Sequence, residues 1–262
     1  MRVAAADGKA LQNIVIVETP KSFADAMSLL GQLASQASLG KKVDMVCGGV
    51  AGSFDQKKEK IVHSPNLSLW NGKNISGAIK KALKAKKVFL ENDTAFVGLG
   101  EAVYGAGKKK PIVAYITIST GVNGVRVVDG RIDRSAMGFE IGHHIMGSEP
   151  KETFEYFAGA ASLASRQGMG QAENISKQAW GDAERKIAVG VHNTLLYWSP
   201  DIIVLGGGSV SHERVSLKNI ARDVKTLCKS FSHIPEIKKA QLDDLGGLYG
   251  ALVFLNQRKS LK

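Results

Sequence analysis

The chain has 262 residues, 44% of them apolar, enough for a substantial core in one large domain or two lobes. A net charge of +11 and a pI of about 9.6 suit anionic ligands, but no helix-turn-helix and no aromatic-rich basic strand accompanies that charge, so nucleic acid is not an expected partner. Two distant cysteines, no signal-peptide core and no apolar run near the ~20 residues of a bilayer span point to a reduced, soluble, cytoplasmic protein with no membrane partner.

The predicted elements begin with a strand over Arg2–Ala6, a tight turn at Asp7-Gly8 and a partner strand over Ile14–Glu18, apolar on both faces. Ser22 caps a helix that runs to about Ala37, with Phe23, Ala26, Met27, Leu30 and Leu33 at helical spacing. A strand over Lys42–Cys47 follows, with Gly48, Gly49 and Gly52 as a flexible turn. Next come a short strand at Ile61-Val62, a loop over 63–72 containing Pro65 and Asn66, and a helix from Ile75 to Lys84. Lysines cluster over 80–87, 108–110 and at the carboxyl end, and read as solvated surface.

Val88–Leu90 is a short buried strand with Glu91-Asn92-Asp93 at its carboxyl end, ahead of a helix from Thr94 to Tyr104. Ligands in open α/β sheets collect at strand carboxyl ends, so the place suits a working carboxylate. Asp93 equally suits the simpler role of helix N-cap. The stretch 112–144 is the centre of the chain. Ile112–Ile118 is apolar and β-branched, as a buried strand should be. Ser119-Thr120-Gly121 then makes a turn whose backbone N–H groups and hydroxyls suit a phosphate. Asp129-Gly130 closes a hairpin, and a loop carrying Glu140, His143 and His144 follows.

Helical segments are predicted over 152–168 and 175–198, the second ended by Pro200. A buried strand at Ile202–Leu205 leads into Gly206-Gly207-Gly208, then a helix over 213–231. The terminal helix starts in Gly-Gly-Leu-Tyr-Gly-Ala, residues 246–251.

Leu90-Glu91-Asn92-Asp93, Ser119-Thr120-Gly121 and Glu140-Ile141-Gly142-His143, in this order, resemble the sugar kinases of the ROK (repressor, open reading frame, kinase) family, within the actin/hexokinase-like ATPase superfamily. The resemblance covers nearly the whole chain. It implies a two-lobed, actin-like (ribonuclease H-like) α/β fold with mixed sheets flanked by helices. The lobes would be 1–110 and 111–262, with the terminal helix packing back on the first. It implies ATP-dependent phosphorylation of a hexose such as glucose, with Mg²⁺ on the nucleotide, in a homodimer. Asp93 matches the general base. Asn92, Glu140, His143, Glu155 and Gly52 match contacts to the sugar, whose hydroxyls both donate and accept. Thr120, Gly121, Gly206 and Gly207 match the nucleotide turns.

The sequence departs from the family pattern in three places. The family opens with Asp-x-Gly-Gly-Thr on a first strand, and this sequence begins at Met1-Arg2-Val3, where that turn would have ended. The expectation is therefore that the first strand and its phosphate loop are missing, through either a start placed too late or a genuinely shortened relative, and that an exposed sheet edge or a new partner strand goes with the loss. Ser119 and Asn123 replace glycines of the second phosphate turn. Residues 145–155 hold none of the cysteines of the family's zinc segment, so a Cys₃His site cannot form and no structural zinc is expected. These departures motivate an alternative: a catalytically impaired sugar-binding or regulatory relative.

Overall fold

The computed structural model describes residues 1–64, 66–170 and 174–259. Pro65 of the expected loop and Lys262 of the terminal basic cluster lie outside the described residues. The chain divides into two compact units, Met1–Gly100 with Leu245–Lys262, and Glu101–Asp244.

The first unit opens with an antiparallel ribbon, β1 (Arg2–Ala6) and β2 (Leu11–Ile16). The second strand lies three residues earlier than the sequence suggests. Asp7 Oδ1 accepts the amides of Lys9 (2.8 Å) and Ala10 (3.2 Å), so the turn closes at once and pairing resumes at Ala6 opposite Leu11. Nor is β2 covered on both faces, since Ile14 and Ile16 are 40% and 54% exposed.

Helix α1 (Phe23–Ala37) starts where Ser22 Oγ accepts the Asp25 amide. Strand β3 is Met45–Val50, not 42–47. Gly48 and Gly49 therefore belong to the strand rather than to a turn. A Cβ on Gly49 would stand 2.9 Å from Asp93 Cα, so a side chain there would push away the start of the next helix. The turn proper is at Ala51-Gly52 and leads into a small hairpin, β4 (Ser53–Phe54) and β5 (Ile61–His63). Helix α2 (Ile75–Leu83) is capped by Asn74, whose Oδ1 accepts the Gly77 amide at 2.7 Å. Strand β6 (Lys87–Asn92) runs parallel to β3, and helix α3 (Asp93–Val103) follows without a break.

In the second unit, β7 (Ile112–Ile118), β8 (Val122–Val128) and β9 (Arg131–Ile132) form an antiparallel meander turned by Asp129-Gly130, both with positive φ. Helices α4 (Phe154–Ala158), α5 (Ala160–Arg166) and α6 (Lys177–Trp198) come next, then β10 (Ile202–Gly206) and the single turn α7 (Gly208–Ser211). The helix expected over 213–231 is shorter. α8 spans Leu217–Leu227, because Ser216 Oγ takes the Asn219 amide and starts it there. Strand β11 (Glu236–Lys239) carries no sequence signal, since Glu-Ile-Lys-Lys is polar and half exposed. The sheet order is β11-β10-β7-β8-β9, with β7 parallel to β10 and antiparallel to β8, a mixed sheet. Its core joins Ile116, Ile118, Ile203 and Leu205 to Phe154, Ile187, Val191 and Leu195 of the helices.

The chain ends in α9 (Gly246–Lys259), which belongs to the first unit and packs on β3. Its Phe254 meets Phe89 of β6 and Phe96 of α3 edge to face, at centroid distances of 6.0 and 5.5 Å. No helix among the described residues is long and apolar enough to cross a membrane.

Candidate functional site

In the first unit the structure brings Gly52, Asn92 and Asp93 together. The β6–α3 junction falls between Asn92 and Asp93, so one residue ends a strand and the next starts a helix. The Thr94 amide donates both to Asn92 Oδ1 (3.0 Å) and to Asp93 Oδ1 (2.8 Å). The other end of the Asn92 carboxamide donates to the Gly52 carbonyl at 3.0 Å. Gly52 has a φ of +134°, and a Cβ there would lie 2.5 Å from the His63 carbonyl oxygen. Any side chain would strain that turn, and the Asn92 bond to its carbonyl ties the base of the β4–β5 hairpin to the end of β6. The expected N-cap is therefore displaced by one residue: Asn92, just before the helix, accepts the Thr94 amide as a cap would, and Asp93 is the first helical residue, holding the amide next to it. Burial lifts its carboxyl above the usual carboxylate range, and the Thr94 and Asp93 amides with the Thr94 hydroxyl partly oppose that lift.

In the second unit Thr120, Gly121, Glu140, His143 and Glu155 meet around the carboxyl end of β7. The Ser119 amide donates to Gly121 O (2.8 Å), and the Ser119 and Thr120 carbonyls accept from Ala160 and Ala161 at the start of α5. Glu155, in the first turn of α4, accepts the Val122 amide through Oε2 at 2.8 Å. A Cβ on Gly121 would lie 2.3 Å from that same oxygen. The phosphate-type turn and the Glu155 carboxylate are therefore packed as one piece. Glu140 is 3.4 Å from both Asn123 Nδ2 and His143 Nδ1. Burial raises its carboxyl, the His143 ring opposes the rise, and the Glu155 charge adds to it.

The paired histidines divide their work. His143 is two-thirds exposed beside Glu140. His144 turns inward, with Nδ1 on the Ile141 carbonyl at 2.5 Å, Nε2 facing the Asn193 carboxamide at 3.3 Å, and its ring against Phe154. His144 anchors the loop that His143 and Glu140 ride on. The sequence offered no signal for Asn193, 49 residues away on α6.

Gly206 lies opposite Thr117 in the parallel register, so the glycine turn at the end of β10 and the Ser119-Thr120-Gly121 turn at the end of β7 open side by side. That is the strand-end arrangement in which α/β sheets hold ligands. A cavity of about 620 Å³ adjoins Thr120, walled by Ala160, Ala161, Ala164, Ser165 and Met169. Its size is right for a small-molecule ligand. Just past Gly207, whose φ is +88°, the Ser209 hydroxyl is buried without a hydrogen-bond partner. Sequence reasoning did not single out Ser209. Among the described residues no three His, Cys, Asp or Glu side chains converge on one point.

Comparison with known proteins finds relatives over nearly the whole chain. A glucokinase of Thermotoga maritima is 26% identical over 297 aligned residues, which take in 96% of this chain and 92% of that one. The crystal structure of a ROK hexokinase from Thermus thermophilus superposes with a TM-score of 0.80 at 24% identity, over 98% and 95% of the two chains. A ROK family glucokinase from Streptomyces griseus, in complex with glucose and AMPPNP, gives 0.77 at 20% identity over 97% and 94%. The model of the ROK family itself matches residues 1–258, and this makes the chain a member of the ROK family.

Proposed function

We propose that this protein phosphorylates a hexose, glucose or a close relative, with MgATP as donor. The observation that carries the reading is the β6–α3 junction: a carboxylate at a strand's carboxyl end, lifted above its usual range by burial, beside an oriented carboxamide. A general base works best when its pKa approaches the working pH, and a raised aspartate moves in that direction. Asp93 takes the proton of the attacking hydroxyl. Asn92, with the Gly52 turn behind it, orients that hydroxyl.

Glu140, His143 and Glu155 supply acceptors and a ring nitrogen for the remaining hydroxyls. Thr120 and Gly121, with Gly206 and Gly207 beside them, receive the nucleotide. The cavity next to Thr120 and the unpartnered Ser209 hydroxyl support that placement. The bound nucleotide brings the transferable phosphoryl group, with Mg²⁺ on its phosphate oxygens.

An ADP-release assay over a hexose panel tests the reading. Asp93→Asn is expected to lower kcat by roughly 10²- to 10⁴-fold, the usual weight of a positioned base. Activity that survives the substitution removes Asp93 from the role. A second reading, a silent sugar-binding or regulatory protein, draws on Ser119 and Asn123, which put side chains where the family pattern has glycines. Asn123 is committed to Glu140 and, through Oδ1, to the Gly124 amide at 2.7 Å. Calorimetry separates the two: hexose binding with no MgATP binding favours the silent protein.

A further inference from the structure

We propose that Lys58 and Glu91 form a latch that holds the β4–β5 hairpin against β6 and so positions Asn92 for the hexose. The β4–β5 hairpin has strands of only two and three residues, joined by two residue pairs. A two-stranded hairpin that short is not stable alone in water and needs an anchor. Its tip is folded on itself: Asp55 Oδ1 accepts the amides of Glu59 (2.7 Å) and Lys60 (2.9 Å), and the Lys58 amide donates to Asp55 O (2.8 Å). Its outer side is tied to the approach to α2, through the Ile61 amide to Lys73 O (3.3 Å) and the Ser76 amide to Glu59 O (3.1 Å). Its inner end carries Gly52, whose carbonyl receives Asn92.

Lys58 joins the tip to the same strand. Its ammonium pairs with Glu91 Oε2, one residue before Asn92. Two features separate this pair from an ordinary surface contact. Lys58 sits at φ +54°, a left-handed conformation that a non-glycine residue adopts at a cost, here spent on a turn that delivers the side chain to Glu91. Glu91 is only 14% exposed, and its Oε1 also accepts the Asn92 amide at 3.2 Å. Removing the ammonium leaves an occluded carboxylate with less compensation, bonded directly to the backbone of the residue that orients the hydroxyl. The effect should reach Asn92 from both ends, through its amide and through the Gly52 carbonyl.

Lys58 and Glu91 are thus positioning residues, and the proposal rests on the reading of Asn92 and Asp93 given above. The test uses the full chain as wild type, Lys58→Met, Lys58→Arg, Glu91→Gln and the charge swap K58E/E91K. Methionine keeps most of the stem and removes the charge. Two readouts are needed. Amide hydrogen exchange over 53–63 is expected to quicken about tenfold in Lys58→Met and Glu91→Gln, to return in Lys58→Arg, and to recover in part in the swap. The hexose KM is expected to rise by roughly tenfold in the same two variants with kcat within about threefold, the pattern of lost binding geometry rather than lost chemistry. Unchanged exchange in Lys58→Met overturns the latch, as does faster exchange with an unchanged KM. If wild type phosphorylates no hexose while hairpin exchange still answers to the pair, the latch stands and the kinase reading is the one that fails.

Discussion

The two units are built on different principles. In the second, five strands form one mixed sheet, and all five residues of β10 are buried. In the first, the six strands among the described residues pair two by two, as β1-β2, β3-β6 and β4-β5, and β1 and β3 are mostly half-buried. The contrast shows where each set of candidate residues gets its placement. Around Thr120 and Glu155 a buried frame of strand ends and helices sets the positions, and the ties from the Val122 amide to Glu155 and from the Ala161 amide to the Thr120 carbonyl are made within that frame. Around Asp93 the positions follow from polar ties across short elements: Asn92 to Gly52, Thr94 to Asp93, Lys58 to Glu91.

Core truncation should break the comparison most sharply. Phe154 is fully buried, and its ring packs so closely on α6 that a Cβ on Gly190 would lie 2.5 Å from it. Phe154→Ala is expected to cost about 3–5 kcal/mol by denaturant titration. Val3→Ala in half-buried β1 should cost under about 1 kcal/mol. Equal losses would mean that the first unit is packed as tightly as the second.

The same contrast explains what the sequence could and could not tell. β7 and β10 were legible because burial on both faces demands a nearly continuous apolar run rich in β-branched residues, and Ile112–Ile118 and Ile202–Leu205 supply one. Glu91-Asn92-Asp93 was legible because strand end and helix start meet there. β3 was misplaced because Gly48 and Gly49 imitate a turn, when the real constraint is the approach of Asp93 from 44 positions away. β11 was invisible because an edge strand needs no apolar pattern. The tie from Lys58 to Glu91 spans 33 residues and has no local signature at all.

A backbone substitution probes the polar side of the comparison. Gly52→Ala places a Cβ against the His63 carbonyl at a φ that alanine rarely adopts. It should cost about 1–3 kcal/mol of stability and raise the hexose KM, because the carbonyl that holds Asn92 must move. A variant as stable as wild type with an unchanged KM would show that the hairpin base does not govern Asn92.

A smaller effect is expected at Glu140. Its carboxyl is already raised by burial, with the His143 ring opposing the rise and Glu155 adding to it. His143→Ala removes the opposing influence, so the carboxyl rises further. The form that accepts a sugar hydroxyl is the carboxylate. The acid side of the pH profile for hexose affinity should therefore move to higher pH in the variant, while affinity above that limb falls by a pH-independent factor for the lost ring contact. A limb that stays put, or moves to lower pH, would remove His143 from the electrostatics of this carboxylate.

The subtlest expectation concerns stability rather than activity, and it separates the costs of the two units. Burial raises the Asp93 carboxyl in the folded state above its unfolded value. Such a group favours folding fully below its unfolded pKa of about 4 and loses that contribution as pH rises through the folded value. At neutral pH the ionised Asp93 therefore holds the first unit below the stability its fold would otherwise have. Asparagine has nearly the same shape, can accept the Thr94 amide, and carries no charge to desolvate. Asp93→Asn should melt higher than wild type at pH 7 to 8, by a margin that shrinks as pH falls and closes near pH 4. The same variant is the one expected to lose phosphorylation, so a gain in Tm beside a loss of kcat is the signature of a carboxylate kept for chemistry at the expense of stability. A lower Tm at neutral pH would mean instead that the charged ties to Thr94 outweigh burial, and that Asp93 serves first to hold the opening of α3.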